Sequence, residues 1–312
     1  MSVATRPRLG FLGVGWIGRS RLDAIAASGY AEIGAVADPA LPDALDSLEE
    51  LLEQDVDGIV IATPSGLHAE QAVACLQRKK AVFCQKPLGR NGDETWRVVE
   101  TARAYDRLLG VDFSYRSAEA FRTARAEVTR GNIGEPFAAN LTFHNAYGPD
   151  NAWFYDAEKA GGGCLIDLGI HLIDFGVWAL GQWERVEHAS VRGVAVEDFA
   201  AAAIRFENDV IAHLECSWNL HAGREAIIEA TVYGTEGGVS VTNVDGSFYD
   251  FRCERFNRTS RETVVEPPDE WPGRAAVEWA RRLAVSPGFD DELVEDARSV
   301  AAAIDAIYEL AR

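Results

Sequence analysis

Arg8-Leu-Gly-Phe-Leu-Gly13-Val-Gly15-Trp16-Ile17-Gly18 decides the architecture of the chain. A short apolar run enters a G-x-G-x-x-G turn, and apolar residues at helical spacing continue from Ile17 to Ser28. Such glycines recur in many turns, so the context carries the argument. A strand precedes the turn, a helix follows it, and Asp38 closes a second strand (Glu32 to Ala37) twenty residues after Gly18. Gly13 permits the tight turn, Gly15 lets backbone approach a pyrophosphate, and Gly18 lets helix and strand close on each other. The helix start at Trp16 and Ile17 offers free amide donors and a positive dipole end to phosphates. Asp38 would accept hydrogen bonds from ribose hydroxyls and repel a 2′-phosphate. No arginine or lysine follows it before Arg78. The expected cofactor is NAD, with NADP the alternative.

Outward from this unit, short strands alternate with helices. Ser47-Leu-Glu-Glu50 is a capping box opening a helix to about Gln54. Gly58 to Ala62 is a uniformly apolar strand, Gly66 to Arg78 a helix, Ala81 to Cys84 a strand, Asp93 to Tyr105 a helix and Leu108 to Phe113 a strand. This describes a parallel, doubly wound sheet. Ligands sit at the carboxyl ends of such strands. Thr63, Pro64, Ser65 and His68 after the third strand, and Gln85 and Lys86 after the fourth, are therefore expected to border the cofactor. Lys86 could also stabilise a substrate alkoxide, and Pro87 fixes its turn. The plainer alternatives are a solvated lysine and a helix-terminal histidine facing water. After residue 116 the pattern changes to a helix from Glu119 to Arg130 and then to hairpin-linked strands, among them Phe199 to Phe206, Val210 to Trp218, Ala226 to Tyr233 and Val239 to Thr242. Helices from Arg274 and Asp290 finish the chain.

Composition narrows the function. The 312 residues carry 30 Lys and Arg against 49 Asp and Glu, a formal charge of -19, which argues against nucleic acid or an anionic membrane as the main partner. The five cysteines show no close spacing, so neither a zinc site nor a disulfide framework is expected, and no metal. No window is expected to approach the roughly 20 apolar residues of a membrane span. The chain reads as cytoplasmic.

Gly161-Gly-Gly-Cys-Leu-Ile-Asp167-Leu-Gly-Ile-His171-Leu-Ile-Asp174 is the richest stretch. Three glycines let a loop pass close to another group, and an apolar helix then begins. Asp167 and His171 stand at i and i+4 on one helix face, where a carboxylate can support an imidazole working as a base. A core His–Asp pair satisfied internally is the alternative. Arg116, Tyr115, Asn145, Trp153 and Tyr155 are weaker substrate candidates from nearby segments.

Together these pieces resemble the Gfo/Idh/MocA oxidoreductase family over nearly the whole chain. The resemblance implies an α/β fold: an N-terminal Rossmann doubly wound parallel sheet over residues 1–116, and a C-terminal α+β domain with an open, mainly antiparallel or mixed sheet over 117–312. It implies hydride transfer between NAD(P) and a sugar or polyol, with Lys86 as the catalytic lysine, Asp167 as a substrate-site aspartate and His171 as the catalytic histidine. It also implies a homodimer or homotetramer through the C-terminal sheet. Two departures stand out. The family usually reads Glu-Lys-Pro where this chain has Gln85, and the segment from Pro39 to Asp57 is short, with a single short helix.

The expected reaction is oxidation of a secondary alcohol of a polyhydroxy substrate. His171 removes the hydroxyl proton and Lys86 stabilises the alkoxide, or the two exchange roles. A glycoside hydrolase that retains its NAD and oxidises the sugar only transiently is a second expectation. A non-catalytic dinucleotide and sugar sensor is a third.

Overall fold

The computed structural model describes residues 6–312. The chain forms two compact units. The first runs to Ser114 and takes back Pro272–Arg298; the second comprises Tyr115–Trp271 and Ser299–Arg312.

In the first unit the order is β1 (Arg8–Leu12), α1 (Trp16–Ser28), β2 (Glu32–Ala37), α2 (Leu48–Leu52), β3 (Gly58–Ile61), α3 (Ser65–Gln77), β4 (Ala81–Gln85), α4 (Gly92–Ala104) and β5 (Leu109–Asp112). The five strands are parallel in the order β2-β1-β3-β4-β5. Chain direction across the sheet therefore reverses between β1 and β3, where doubly wound sheets bind ligands. The short Pro39–Asp57 segment contributes one parallel bridge, Ala37 to Leu45, beyond β2. Its capping box forms only in part. Ser47 accepts from Glu50 N–H at 3.2 Å, while Glu50 reaches back to the N–H of Asp46 rather than that of Ser47.

The second unit holds α5 (Glu119–Thr129), β6 (Pro136–Asn145), α6 (Ala157–Ala160), α7 (Ile170–Leu180), β7 (Trp183–Gly193), β8 (Glu197–Phe206), β9 (Ile211–Ser217), β10 (Ala226–Gly234), β11 (Gly238–Asn243), β12 (Phe251–Asn257) and β13 (Ser260–Val265). Its sheet runs β13-β12-β11-β10-β6-β9-β8-β7 and is mixed: β6 and β9 are parallel, every other pair antiparallel. One face lies under α5 and α7, where Phe121 meets Phe175 at 5.6 Å and Phe251 at 5.1 Å. The other face carries Asn140, Thr142, Ala201, Ala203, His213 and Glu215.

Two expectations are corrected here. Residues 272–298 do not belong to the second domain, and the boundary lies at 114/115 rather than 116/117. The physical reason is α8 (Arg274–Val285), whose buried Ala276, Trp279, Ala280 and Leu283 cover the α1 side of the first sheet; the Trp279 ring lies 5.6 Å from that of Phe83 on β4. The last helix, α9 (Glu295–Leu310), passes from one unit to the other. Second, the helical stretch Ala157–Leu180 is long and apolar enough to cross a membrane, contrary to the sequence reading, but most of it is buried inside the protein. Its uniform apolarity is that of a core helix.

Candidate active site

The glycine loop is built on close approaches. Gly13 has φ 80°, and a Cβ there would stand 2.8 Å from the Ala62 carbonyl oxygen; a Cβ on Gly18 would stand 2.1 Å from the Gly13 oxygen. Neither position tolerates a side chain. A Cβ on Gly15 would meet nothing within 4 Å, so backbone there is open to a ligand. Asp38 braces the loop: one carboxylate oxygen accepts from Val14 N–H at 2.8 Å, the other from Ala40 N–H at 2.9 Å.

Helix capping separates two kinds of helix. α2 and α4 are capped by Ser47 and Asn91 side chains, whereas α1 and α3, which start beside the β1 and β3 ends, have no side-chain cap. Uncapped first-turn amides carry the positive end of the helix dipole and suit an anion. The residues present thus fit a dinucleotide at the β1–α1 turn.

At the next strand ends, Thr63 donates to Gln71 at 2.5 Å. His68 does not face a ligand as expected. Its ring is buried, with Nδ1 2.7 Å from the Pro87 carbonyl and Nε2 2.8 Å from that of Thr63, so it stitches the β3 and β4 loops together. Burial lowers its pKa, as does Lys86; the two carbonyl contacts oppose the shift. Lys86 itself is half-buried, immediately after β4.

Behind it lies a network without a sequence signature. Asp112, at the end of β5, is buried and accepts from Arg21 Nε at 2.6 Å and Gln85 Nε2 at 2.5 Å on one oxygen, and from Ser114 Oγ at 2.6 Å on the other. Arg21, also buried, donates a further bond to Ser114 Oγ at 2.8 Å.

In the second unit, Leu165–Gly169 forms a π-turn leading into α7. Asp167 lies in that turn and His171 in the first turn of α7. The wider π-turn alters the simple i, i+4 facing of an α-helix, and such turns occur often at functional sites. Asp167 accepts from Trp218 Nε1 at 3.2 Å. The His171 ring meets Tyr115 edge-on at 4.8 Å and lies 6.1 Å from Phe143. Burial pushes the Tyr115 phenol above its usual value, with Tyr249 and Asp167 acting in the same direction. Asn145, two residues beyond Phe143 on β6, keeps a buried Oδ1 without a hydrogen-bond partner among the described residues. Trp153 stacks on Phe154 at 3.8 Å, and Tyr155 lies 5.6 Å from Trp218.

Glu197 on β8 anchors the glycine run. One oxygen accepts from Gly163 N–H at 2.8 Å, Leu165 N–H at 2.9 Å and the Tyr308 hydroxyl at 2.7 Å. Neither Glu197 nor Tyr308 was signalled by a motif, because both act from distant sequence positions. The Arg116 guanidinium holds buried Asp174 through Nε at 3.0 and 3.1 Å and Nη2 at 2.5 Å. The last aspartate of the glycine-rich motif therefore has an internal, ion-paired role. All five cysteines are buried free thiols, and those of Cys164 and Cys216 stand 3.8 Å apart.

Residues 8–113 match the family model of an oxidoreductase family with an NAD-binding Rossmann fold, and residues 121–240 match the GFO/IDH/MocA C-terminal domain. The chain belongs to the Gfo/Idh/MocA oxidoreductase family. Among curated relatives, a 1,5-anhydro-D-fructose reductase from Ensifer adhaerens is 32% identical over 206 residues, 64% of this chain. A levoglucosan dehydrogenase from Pseudarthrobacter phenanthrenivorans is 28% identical over 248 residues, 69% of this chain. The chain spans 61% and 63% of the length of these two relatives. A 3-ketoreductase from Actinomadura kijaniata, solved with NADP and TDP-benzene, shares the fold: its TM-score is 0.87 at 23% identity, over 99% of this chain and 98% of that one.

Proposed function

We propose that this protein is an NAD-dependent oxidoreductase transferring hydride between a secondary alcohol of a sugar or polyol and the nicotinamide. The observation that carries the reading is the pairing of a dinucleotide-type glycine loop braced by Asp38 with the Asp167 and His171 segment in a chain of this family. The curated relatives described above act, by their names, on sugar-derived compounds.

The cofactor, when bound, supplies a hydride acceptor for the carbinol carbon. The chain's residues handle the proton and the charge. His171 takes the hydroxyl proton, Lys86 stabilises the oxygen as the carbonyl forms, and Asp167, held by Trp218, orients substrate hydroxyls. Asn145 Oδ1 offers an acceptor to a further hydroxyl. Asp38, with no basic residue between it and Arg78, favours NAD over NADP. We further infer a cytoplasmic enzyme that forms a dimer or tetramer through the sheet face bearing Asn140, Thr142, His213 and Glu215.

The test is reduction of NAD or NADP, followed by nicotinamide absorbance, across a panel of sugars, inositols and polyols, with His171→Ala and Lys86→Ala alongside. Turnover of one polyol, reduced about 100-fold or more in each variant, is expected. A panel without turnover, with NAD released only on denaturation, would replace this reading by the hydrolase that retains its cofactor.

A further inference from the structure

Gln85 stands where the family pattern has glutamate, and the geometry around Asp112 gives the reason. The two residues are register partners on β4 and β5, so their side chains leave the sheet on the same face. Asp112 is buried and ion-paired with Arg21. A second carboxylate placed against its Oδ2 would have to bind a proton or be repelled. An amide N–H at 2.5 Å donates instead. The neutral residue before Lys86 is the one this buried pair requires.

We propose that Arg21, Asp112 and Gln85 are positioning residues for Lys86: Arg21 fixes Asp112, Asp112 fixes Gln85, and the anchored Gln85 sets the backbone from which the lysine projects. This rests on the reading that Lys86 serves the reaction. The arrangement reaches further than one strand end. Arg21 lies on α1, the helix that the glycine loop opens, so a single charge pair joins the helix behind the cofactor seat to the strand that carries the lysine. Ser114 closes the ring by bonding both partners, which leaves Asp112 few alternative orientations. Neither ion is exposed to solvent that could substitute for its partner, so displacing any member is transmitted to the others.

The chain has only four lysines, at 79, 80, 86 and 159, so carbon-13-labelled lysine yields a spectrum in which Lys86 Cε can be assigned with Lys86→Arg. Three proteins are compared with the wild type. Gln85→Leu cuts the bond to Asp112 without adding charge. Gln85→Glu opposes two carboxylates. Gln85→His keeps a neutral N–H donor for Asp112 and leaves its ion pair with Arg21 in place. The Lys86 resonance is expected to move in the first two and to return toward its wild-type position in the third. With NAD and the polyol found by the panel, kcat falls about tenfold in Gln85→Leu and Gln85→Glu and recovers in Gln85→His.

An unmoved Lys86 resonance with wild-type kcat in Gln85→Leu would overturn the proposal. So would a Gln85→His protein no better than Gln85→Leu. Full activity in Lys86→Ala would instead remove the lysine from the reaction, while the resonance shifts would still report its anchoring.

Discussion

Around Lys86 the supporting side chains are ionic and buried, with Arg21 against Asp112 and an amide between them and the lysine. Around His171 the neighbouring rings are aromatic, Tyr115 at 4.8 Å and Phe143 at 6.1 Å, and Asp167 is held by the indole N–H of Trp218. The contrast matters because the two kinds of support fail differently. A buried ion that loses its partner keeps its full desolvation penalty, so an ionic support fails in one step. Ring packing loses contacts in proportion to the atoms removed. The second unit places its ionic groups elsewhere: Glu197 holds backbone amides of the glycine run, and Arg116 holds Asp174.

The sharpest way to break this comparison is Arg21→Leu, which strands Asp112 in the interior. We expect a loss of about 3–5 kcal/mol, read as a lower midpoint of urea unfolding. A loss under about 1 kcal/mol would mean that Gln85 and Ser114 alone satisfy the carboxylate. Tyr308→Phe comes next. It removes one of three donors on Glu197 and should cost about 1.5–3 kcal/mol in the same measurement, the range for a bond to a charged acceptor.

These two positions also mark where sequence reading stops. The glycine loop, Asp38, Lys86 and the Asp167–His171 segment were legible because turn chemistry and strand–helix order are local. Arg21 and Asp112 lie 91 positions apart and Glu197 and Tyr308 lie 111 apart, and no periodicity connects them. The ion pair of Arg116 with Asp174, 58 positions apart, is hidden from the sequence for the same reason. Among the strands, β8 to β11 were recognised by alternation, but β6, β7, β12 and β13 were missed. β7 is an edge strand whose Trp-Glu-Arg-Val-Glu-His run is polar or exposed on both faces, and β13 at the other edge carries Arg261 and Glu262. Charged edges deter strand addition and erase the alternation that identifies a strand.

The smallest expected effect concerns His68, the buried ring between the two loops. Its folded pKa is lowered from 6.5, so the unfolded chain binds the proton first as pH falls. The contribution of His68 is therefore complete above pH 6.5 and is lost progressively below it. Unfolding midpoints across this range should fall less steeply for His68→Gln than for the wild type. Parallel slopes would assign the acid sensitivity to other groups.

The return of α8 to the first sheet has a consequence for how the chain is made. Synthesis delivers all five parallel strands by Asp112, yet the indole that covers Phe83 and its neighbours arrives with Trp279. While the intervening residues are being polymerised, one side of a nearly finished sheet lacks its cover and exposes apolar surface to the crowded cell. A nascent chain in that condition is a natural client for holding chaperones, and the emergence of α8 from the ribosome becomes the step that covers this side of the sheet.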